Sequence, residues 1–199
     1  VDYRDPRASK GLSNYDQPLN NTTTFIWEVP YGKGRRFGSG LRSAADAVLG
    51  GWRLTGINTM TSGSTMTPIY SPAAAFNIGG VQYRASIVGD PLAPKSERTV
   101  NKYFNRANVI TPTDRTQPVG NAGRNTVRSP SVYQLDAGLH KEFRFPVENF
   151  RLDFRAEFFN MLNRTNLGLA ESNRTSNDFG TIRSTLPARQ VQFGLRLHW

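Results

Sequence analysis

Few residues in this chain could carry catalytic or ligand chemistry. The two histidines, His140 and His198, both fall on the polar side of alternating segments. If those segments neighbour one another, two imidazoles and a carboxylate could in principle approach a metal. Ordinary polar-face residues are the simpler reading, so no metal ligand is assigned. There is no cysteine, which removes thiol nucleophiles, thiolate metal sites and disulfides. No HExxH, GxSxG or calcium-loop spacing occurs. Gly32-Lys33-Gly34-Arg35-Arg36 lacks the longer glycine spacing before Lys-Ser/Thr that a phosphate-binding loop requires. Asn-X-Thr triplets at Asn21, Asn163 and Asn173 lie in Asn/Thr-rich stretches, where such triplets arise by chance. No catalytic residue, cofactor or metal follows, and the chain reads as a non-enzyme.

Charge is the next candidate. The 199 residues carry a formal +10, and Arg supplies 20 of the 25 basic residues. A nucleic-acid ligand would call for a basic helix or arm. These arginines instead alternate with acids, as in Arg151-Leu152-Asp153-Phe154-Arg155-Ala156-Glu157, which suits paired charges across one face of a sheet. Arg35-Arg36 is the one local cluster, and its Gly-rich setting suggests a turn or interfacial anchor. No nucleic-acid partner is expected.

The elements that must position these residues are strands. Gln190 to Trp199 alternates strictly, with Val191, Phe193, Leu195, Leu197 and Trp199 apolar and the residues between them polar or small. In 132–145, Tyr133, Leu135, Ala137, Leu139, Phe143 and Phe145 alternate with polar residues, and only Lys141 breaks the apolar face. Pro146-Val147-Glu148-Asn149 predicts a tight turn. Phe150, Leu152, Phe154, Ala156 and Phe158 then alternate with Arg151, Asp153, Arg155 and Glu157. Such strands are longer than the usual five or six residues. A tilted strand crossing a bilayer needs about 9 to 11 residues. One apolar face and one ionic face fit lipid on one side and water on the other. Phe143, Phe145, Phe150, Phe154 and Phe158, with Trp199, then read as interfacial girdle and lipid face rather than as a stacking surface for sugars or bases.

Upstream, residues 22–29 predict a strand with Thr23, Phe25, Trp27 and Val29 on one face, stopped by Pro30. A short helix is expected within 40–51, and a second strand from Trp52 to about Ile69. Residues 71–130 hold six prolines and little period, so they read as a long connection with a possible strand at 81–88 and a helical turn at 101–108. Residues 163–186 read as a polar loop. No run of about 18 apolar residues exists, so no transmembrane helix is expected, and Val1 to Pro6 has no signal-peptide core. The expected fold is all-β and antiparallel, about five long strands of a transmembrane barrel with long outer loops. Five strands cannot close a membrane barrel, and open edges in lipid are costly. A C-terminal fragment needing upstream strands, or an assembling subunit, is therefore expected.

Several stretches in order resemble one family. They are Trp27-Glu28-Val29-Pro30-Tyr31-Gly32-Lys33-Gly34-Arg35-Arg36-Phe37, Gly50-Gly51-Trp52-Arg53-Leu54-Thr55-Gly56, Thr61-Ser62-Gly63, Gly120-Asn121-Ala122-Gly123-Arg124-Asn125, Arg155-Ala156-Glu157-Phe158-Phe159-Asn160-Met161-Leu162-Asn163, Phe179-Gly180-Thr181-Ile182 and Ala188 to Leu197. The set resembles the C-terminal end of the barrel in TonB-dependent outer-membrane receptors, in particular the carboxypeptidase-regulatory-domain-bearing (Oar-like) type abundant in Acidobacteria. The resemblance implies a bacterial outer-membrane location and a parent barrel of about 22 strands with a plugged lumen. It also implies energised nutrient uptake, in which outer loops recognise a ligand that then passes through the lumen. No plug or TonB box is visible in these residues, so contact with the TonB complex is implied only through a missing N-terminal part. With Trp199 periplasmic, 1–20, 71–130 and 163–186 become outer loops, 131–163 the hairpin and 188–199 the terminal strand. By the same resemblance Val191, Phe193, Leu195, Leu197 and Trp199 look like the β-signal read by the barrel assembly machinery. Outer-membrane lipid and the upstream strands and plug are the other implied partners. Two alternatives stand beside this reading. One is a β-rich surface or filament protein assembled through strand edges. The other is a soluble carbohydrate-binding β-sandwich.

Overall fold

The computed structural model describes residues 7, 10–73, 82–114, 118–146 and 150–199. Among the described residues the protein is all-β apart from one short helix, and its chain divides into two units. The first, the loop unit, comprises 1–19, 61–132 and 166–186. The second, the sheet unit, comprises 20–60, 133–165 and 187–199.

The sheet unit holds β1 (Asn20–Glu28), α1 (Ser43–Leu49), β2 (Trp52–Thr61), β7 (Val132–Arg144), β8 (Arg151–Phe159) and β9 (Gln190–His198), with strand termini overlapping the unit boundary at β2 and β7. The five strands form one open sheet in the order β1-β2-β7-β8-β9. β-branched and aromatic residues dominate β1, as a pleated surface favours. Pro30 ends it, because proline has no N–H for the ladder. β7 and β8 pair antiparallel from Ala137 opposite Phe158 to Arg144 opposite Arg151. β8 and β9 pair antiparallel from Arg151 opposite His198 to Phe159 opposite Gln190. This register puts Leu139, Phe143, Leu152, Phe154, Ala156, Phe193, Leu195 and Leu197 on one face, and His140, Glu142, Arg144, Asp153, Arg155, Glu157, Arg196 and His198 on the other. The predicted apolar and ionic faces are therefore both present. Phe145 N–H donates to Phe150 O at 3.2 Å across the hairpin end. Residues 147–149 of the expected turn lie outside the described residues.

Lys141, which interrupts the apolar pattern, is buried on that face. Its ammonium donates to Gly50 O and lies 5.3 Å from the Trp52 ring centre and 5.0 Å from that of Phe143. A carbonyl and two π faces thus replace the water it loses. Two glycines also serve this sheet. A Cβ on Gly56 would lie 2.2 Å from the Phe25 ring, so the aromatic covers a site only glycine leaves open. Gly32 has φ +124°, and a Cβ there would meet Asp46 Oδ1 and Gly50 Cα at 2.8 Å. That close approach lets the link between β1 and β2 fold tightly, with Lys33 N–H donating to Asp46 Oδ1 at 2.6 Å.

The loop unit corrects several expectations. β2 ends at Thr61 and does not run to Ile69. Within the expected strand at 81–88, Val81 lies outside the described residues. Only β4 (Ser86–Ile87) is strand there, paired antiparallel with β5 (Val109–Ile110). β3 (Thr65–Met66) pairs likewise with β6 (Val127–Arg128). Residues 101–108 form turns and isolated bridges with no helix. The described residues of 71–130 do not form a structureless connection, and 163–186 is not merely a polar loop. Together with β3 they bury Met66, Ala85, Tyr103, Phe104, Val109, Val127, Ala170, Phe179 and Ile182 in one core.

Asparagines fasten this unit where strands are too short to do so. Asn121 brackets the Ile87 backbone, accepting its N–H at 2.6 Å and donating to its carbonyl at 3.0 Å. Asn125 adopts φ +59° and is buried. Its side chain donates to Leu12 O at 2.7 Å, and its N–H to Thr67 Oγ1 at 2.8 Å. Asparagine suits such positions because its amide replaces missing backbone partners and it tolerates the left-handed region.

Candidate functional site

Three places in the described residues can meet a partner. The first is the ionic face of the sheet unit. Across it lies a groove of about 480 Å³, bordered by Glu28, Arg53, Glu142, Arg144, Arg155 and Arg196 among others. Some of its charges are already matched. Arg35 pairs with Glu28 at 2.8 Å and Arg144 with Glu142 at 2.5 Å, and Asp153 Oδ2 is hydrogen-bonded to His198 Nε2 at 2.9 Å. Arg53, Arg155 and Arg196 make no ion pair or hydrogen bond among the described residues. The register explains two of them. The cross-strand neighbours of Arg155 are His140 and Gly194, neither of them acidic. Arg196 lies opposite Asp153, whose carboxylate is held by His198. Three guanidinium groups from three strands therefore face this groove, each able to donate to an oxyanion.

The two histidines do not come together. β8 lies between β7 and β9, and the partners of His140 and His198 on β8 are Arg155 and Arg151, four residues apart. That is about 13 Å along a strand. His140 Nε2 instead lies 3.1 Å from the Thr55 hydroxyl. Among the described residues no cluster of metal-ligating side chains forms.

The second place is a pocket of about 360 Å³ in the loop unit, bounded by Tyr70, Ser71, Thr111, Thr113, Asp114 and Thr175 with Pro72, Pro112 and Pro118. Tyr70 lines it and is held by a hydrogen bond from its hydroxyl to Pro118 O and by an edge-to-face contact with Tyr83 at 5.8 Å. Burial, and then the neighbouring Tyr83, push the Tyr70 hydroxyl above its ordinary acidity range. Tyr103 is pushed up as well, by burial against the opposing pull of Arg98. Arg106 and Arg174 both lie over the Phe179 ring, at 5.9 and 5.6 Å, so cation–π contacts brace this core. Burial, then Arg106, lowers the Arg174 pKa.

The third place is β9. Val191, Phe193, Leu195 and Leu197 project from one face, all exposed, and Trp199 follows at 89% exposure. β8 covers one edge of β9, and the sheet leaves its other edge open. The aromatics are spread along the sheet. Phe145 and Phe150 meet at 5.1 Å beside the hairpin turn, while Phe154 lies mid-strand against Trp52 at 6.0 Å and Phe193 at 6.4 Å. Phe143 stands on the same face toward the turn, and Phe158 toward the other strand end, opposite Val191.

The sequence alone did not single out Arg53, Arg155 and Arg196, or the Tyr70 pocket. The arginine alternation was visible, but which arginines stay unmatched depends on cross-strand register. The pocket gathers residues that lie about a hundred positions apart and has no local signature.

No curated protein and no solved structure matches the chain significantly. The family model of the outer membrane beta barrel domain matches residues 1–192, in accord with the long two-faced strands described above. The chain accordingly belongs to the outer membrane β-barrel domain family and resides in the outer membrane.

Proposed function

We propose that this chain forms the C-terminal barrel wall and outer recognition loops of a TonB-dependent receptor of the Oar-like type, serving nutrient uptake rather than catalysis. The observation that carries the reading is the division of labour within the chain. Long strands present one apolar and one ionic face, while the connections between them fold into a unit with its own core and a pocket. Loops that only joined strands would not need a buried aromatic core. In this reading the apolar face of β7, β8 and β9 meets lipid, and the ionic face lines a water-filled passage. The open edges of β1 and β9 pair with further strands of the parent barrel, because unpaired backbone in lipid is costly. The exposed row Val191, Phe193, Leu195, Leu197 and Trp199 is what the assembly machinery would engage by strand addition. Contact with TonB belongs to the N-terminal part of that parent.

Sequencing the gene upstream of the codon for Val1 tests this directly. A plug, a TonB box and further alternating strands in frame are expected. An upstream region without them, together with ordered self-assembly through the β1 and β9 edges, would overturn the receptor reading in favour of a structural filament.

A further inference from the structure

The groove on the ionic face has a chemistry that the receptor reading does not specify. We propose that it is a binding site for small polyanionic solutes bearing two or more oxyanion groups, such as phosphates or carboxylates. The inference rests on the reading of that face as the wall of a passage, and it adds a substrate class to it.

The argument starts from charge matching. Six cationic side chains reach this part of the sheet unit: Arg35, Arg53, Lys141, Arg144, Arg155 and Arg196. Carboxylates hold Arg35 and Arg144, and Lys141 is spent on Gly50 O and two rings on the apolar face. The remaining three have no carboxylate, and they come from β2, β8 and β9. Opposite charges across strands stabilise a sheet and like charges destabilise it; Arg196 does lie opposite an acid, Asp153, but His198 holds that carboxylate. Here the positions opposite Arg155 are His140 and Gly194. Gly194 places no side chain beside Arg155; a Cβ there would be in ordinary contact with Arg155 Nε, at 3.7 Å.

Guanidinium geometry narrows the ligand. A planar fork of donors matches the paired oxygens of phosphate or carboxylate. Rings of Arg or Lys are the usual device for anion selectivity in pores. Three forks around a groove of about 480 Å³ suit a small molecule with more than one such group. Of the groove's acids, Glu28 and Glu142 are each paired with an arginine and Asp153 is hydrogen-bonded to His198, so the three unmatched guanidinium groups outnumber the one carboxylate that no arginine holds.

The test uses the full chain folded in a neutral detergent, titrated calorimetrically with inorganic pyrophosphate at low salt. Saturable one-to-one binding is expected, weaker for inorganic phosphate and weakening further as salt rises. The triple variant Arg53→Gln, Arg155→Gln, Arg196→Gln should lose about tenfold or more in affinity for each arginine that contacts the ligand. A control variant that removes both matched pairs, Glu28→Gln, Arg35→Gln, Glu142→Gln, Arg144→Gln, should stay within about threefold of the parent protein, because it frees no carboxylate and those cations are already engaged. Circular dichroism and heat-dependent gel mobility confirm that each variant folds. Folded protein that binds no pyrophosphate overturns the site, as does equal weakening in both variants, which would mean diffuse attraction only. Failure here leaves the upstream plug and TonB box untouched. Their absence in turn leaves measured binding standing, so the two readings fail separately.

Discussion

Asn160 shows how much one side chain carries in this protein. It follows the last residue of β8, is buried, and adopts φ +50°. Its N–H donates to Asp136 Oδ1 at 2.8 Å. Its amide accepts from Arg164 N–H at 3.0 Å and donates to Arg164 O at 2.9 Å and Pro187 O at 3.2 Å. One residue thus ends a strand, reverses the chain and joins it to the segment entering β9. Alanine keeps the N–H bond but loses all three amide contacts, and it pays for the left-handed backbone that asparagine tolerates. Asn160→Ala should therefore destabilise the folded protein by about 2 to 4 kcal/mol, from unmet buried backbone groups and backbone strain. Urea titration in detergent measures this. A loss below about 0.5 kcal/mol, the range of ordinary surface substitutions, would contradict the account.

At the scale of the element, the strands were legible and the loops were not, for one physical reason. A strand between two different environments must alternate, so β7, β8 and β9 declare themselves residue by residue. Their observed ranges lie within a residue or two of those expected. Even the exception was visible, since Lys141 broke the pattern; its burial against Trp52 and Gly50 required the structure. The loop-unit core obeys no such period. Tyr103, Phe104 and Val109 meet Phe179 and Ile182, which follow the hairpin in sequence, and paired strands of two residues leave no pattern to read. Of the candidate groove, the sequence exposed the arginines but not their matching, which depends on register. The two faces of β9 give this account its sharpest test. Leu195→Arg puts a charge on the apolar face, which costs about 2–4 kcal/mol near a bilayer midplane and less toward its edges. Gln192→Arg puts the same charge on the ionic face, opposite Glu157, and should be close to neutral. Folding yield into vesicles, read by heat-modifiable gel mobility, should fall for the first and hold for the second. Equal yields would mean that the apolar face does not meet lipid.

At the scale of the whole molecule, two units with separate interiors should respond separately to stress, and alkaline pH offers a way to address one of them. Tyr70 and Tyr103 lie in the loop unit, are buried, and donate their hydroxyl protons to carbonyl oxygens, Tyr70 to Pro118 and Tyr103 to Arg128 at 2.7 Å. Ionisation removes each donor and sets a phenolate against a carbonyl oxygen in a poorly hydrated site. Both hydroxyls accordingly have raised pKa values in the folded protein, with burial as the leading cause. A raised acid pKa means that the unfolded chain gives up the proton first. The stability each tyrosine contributes is therefore complete below the unfolded value of about 10 and is lost as pH rises through the higher folded value. The three tryptophans, Trp27, Trp52 and Trp199, all belong to the sheet unit, so their emission maximum follows that unit alone. Titration upward from neutral pH should show tyrosinate absorbance and faster amide exchange in 82–110 above about pH 10, before the tryptophan emission shifts. The double variant Tyr70→Phe, Tyr103→Phe should move the loop-unit transition to higher pH, although it forgoes two hydrogen bonds at neutral pH. An unchanged transition in that variant would mean that other groups drive it. Simultaneous change in both signals would mean that the two units melt as one.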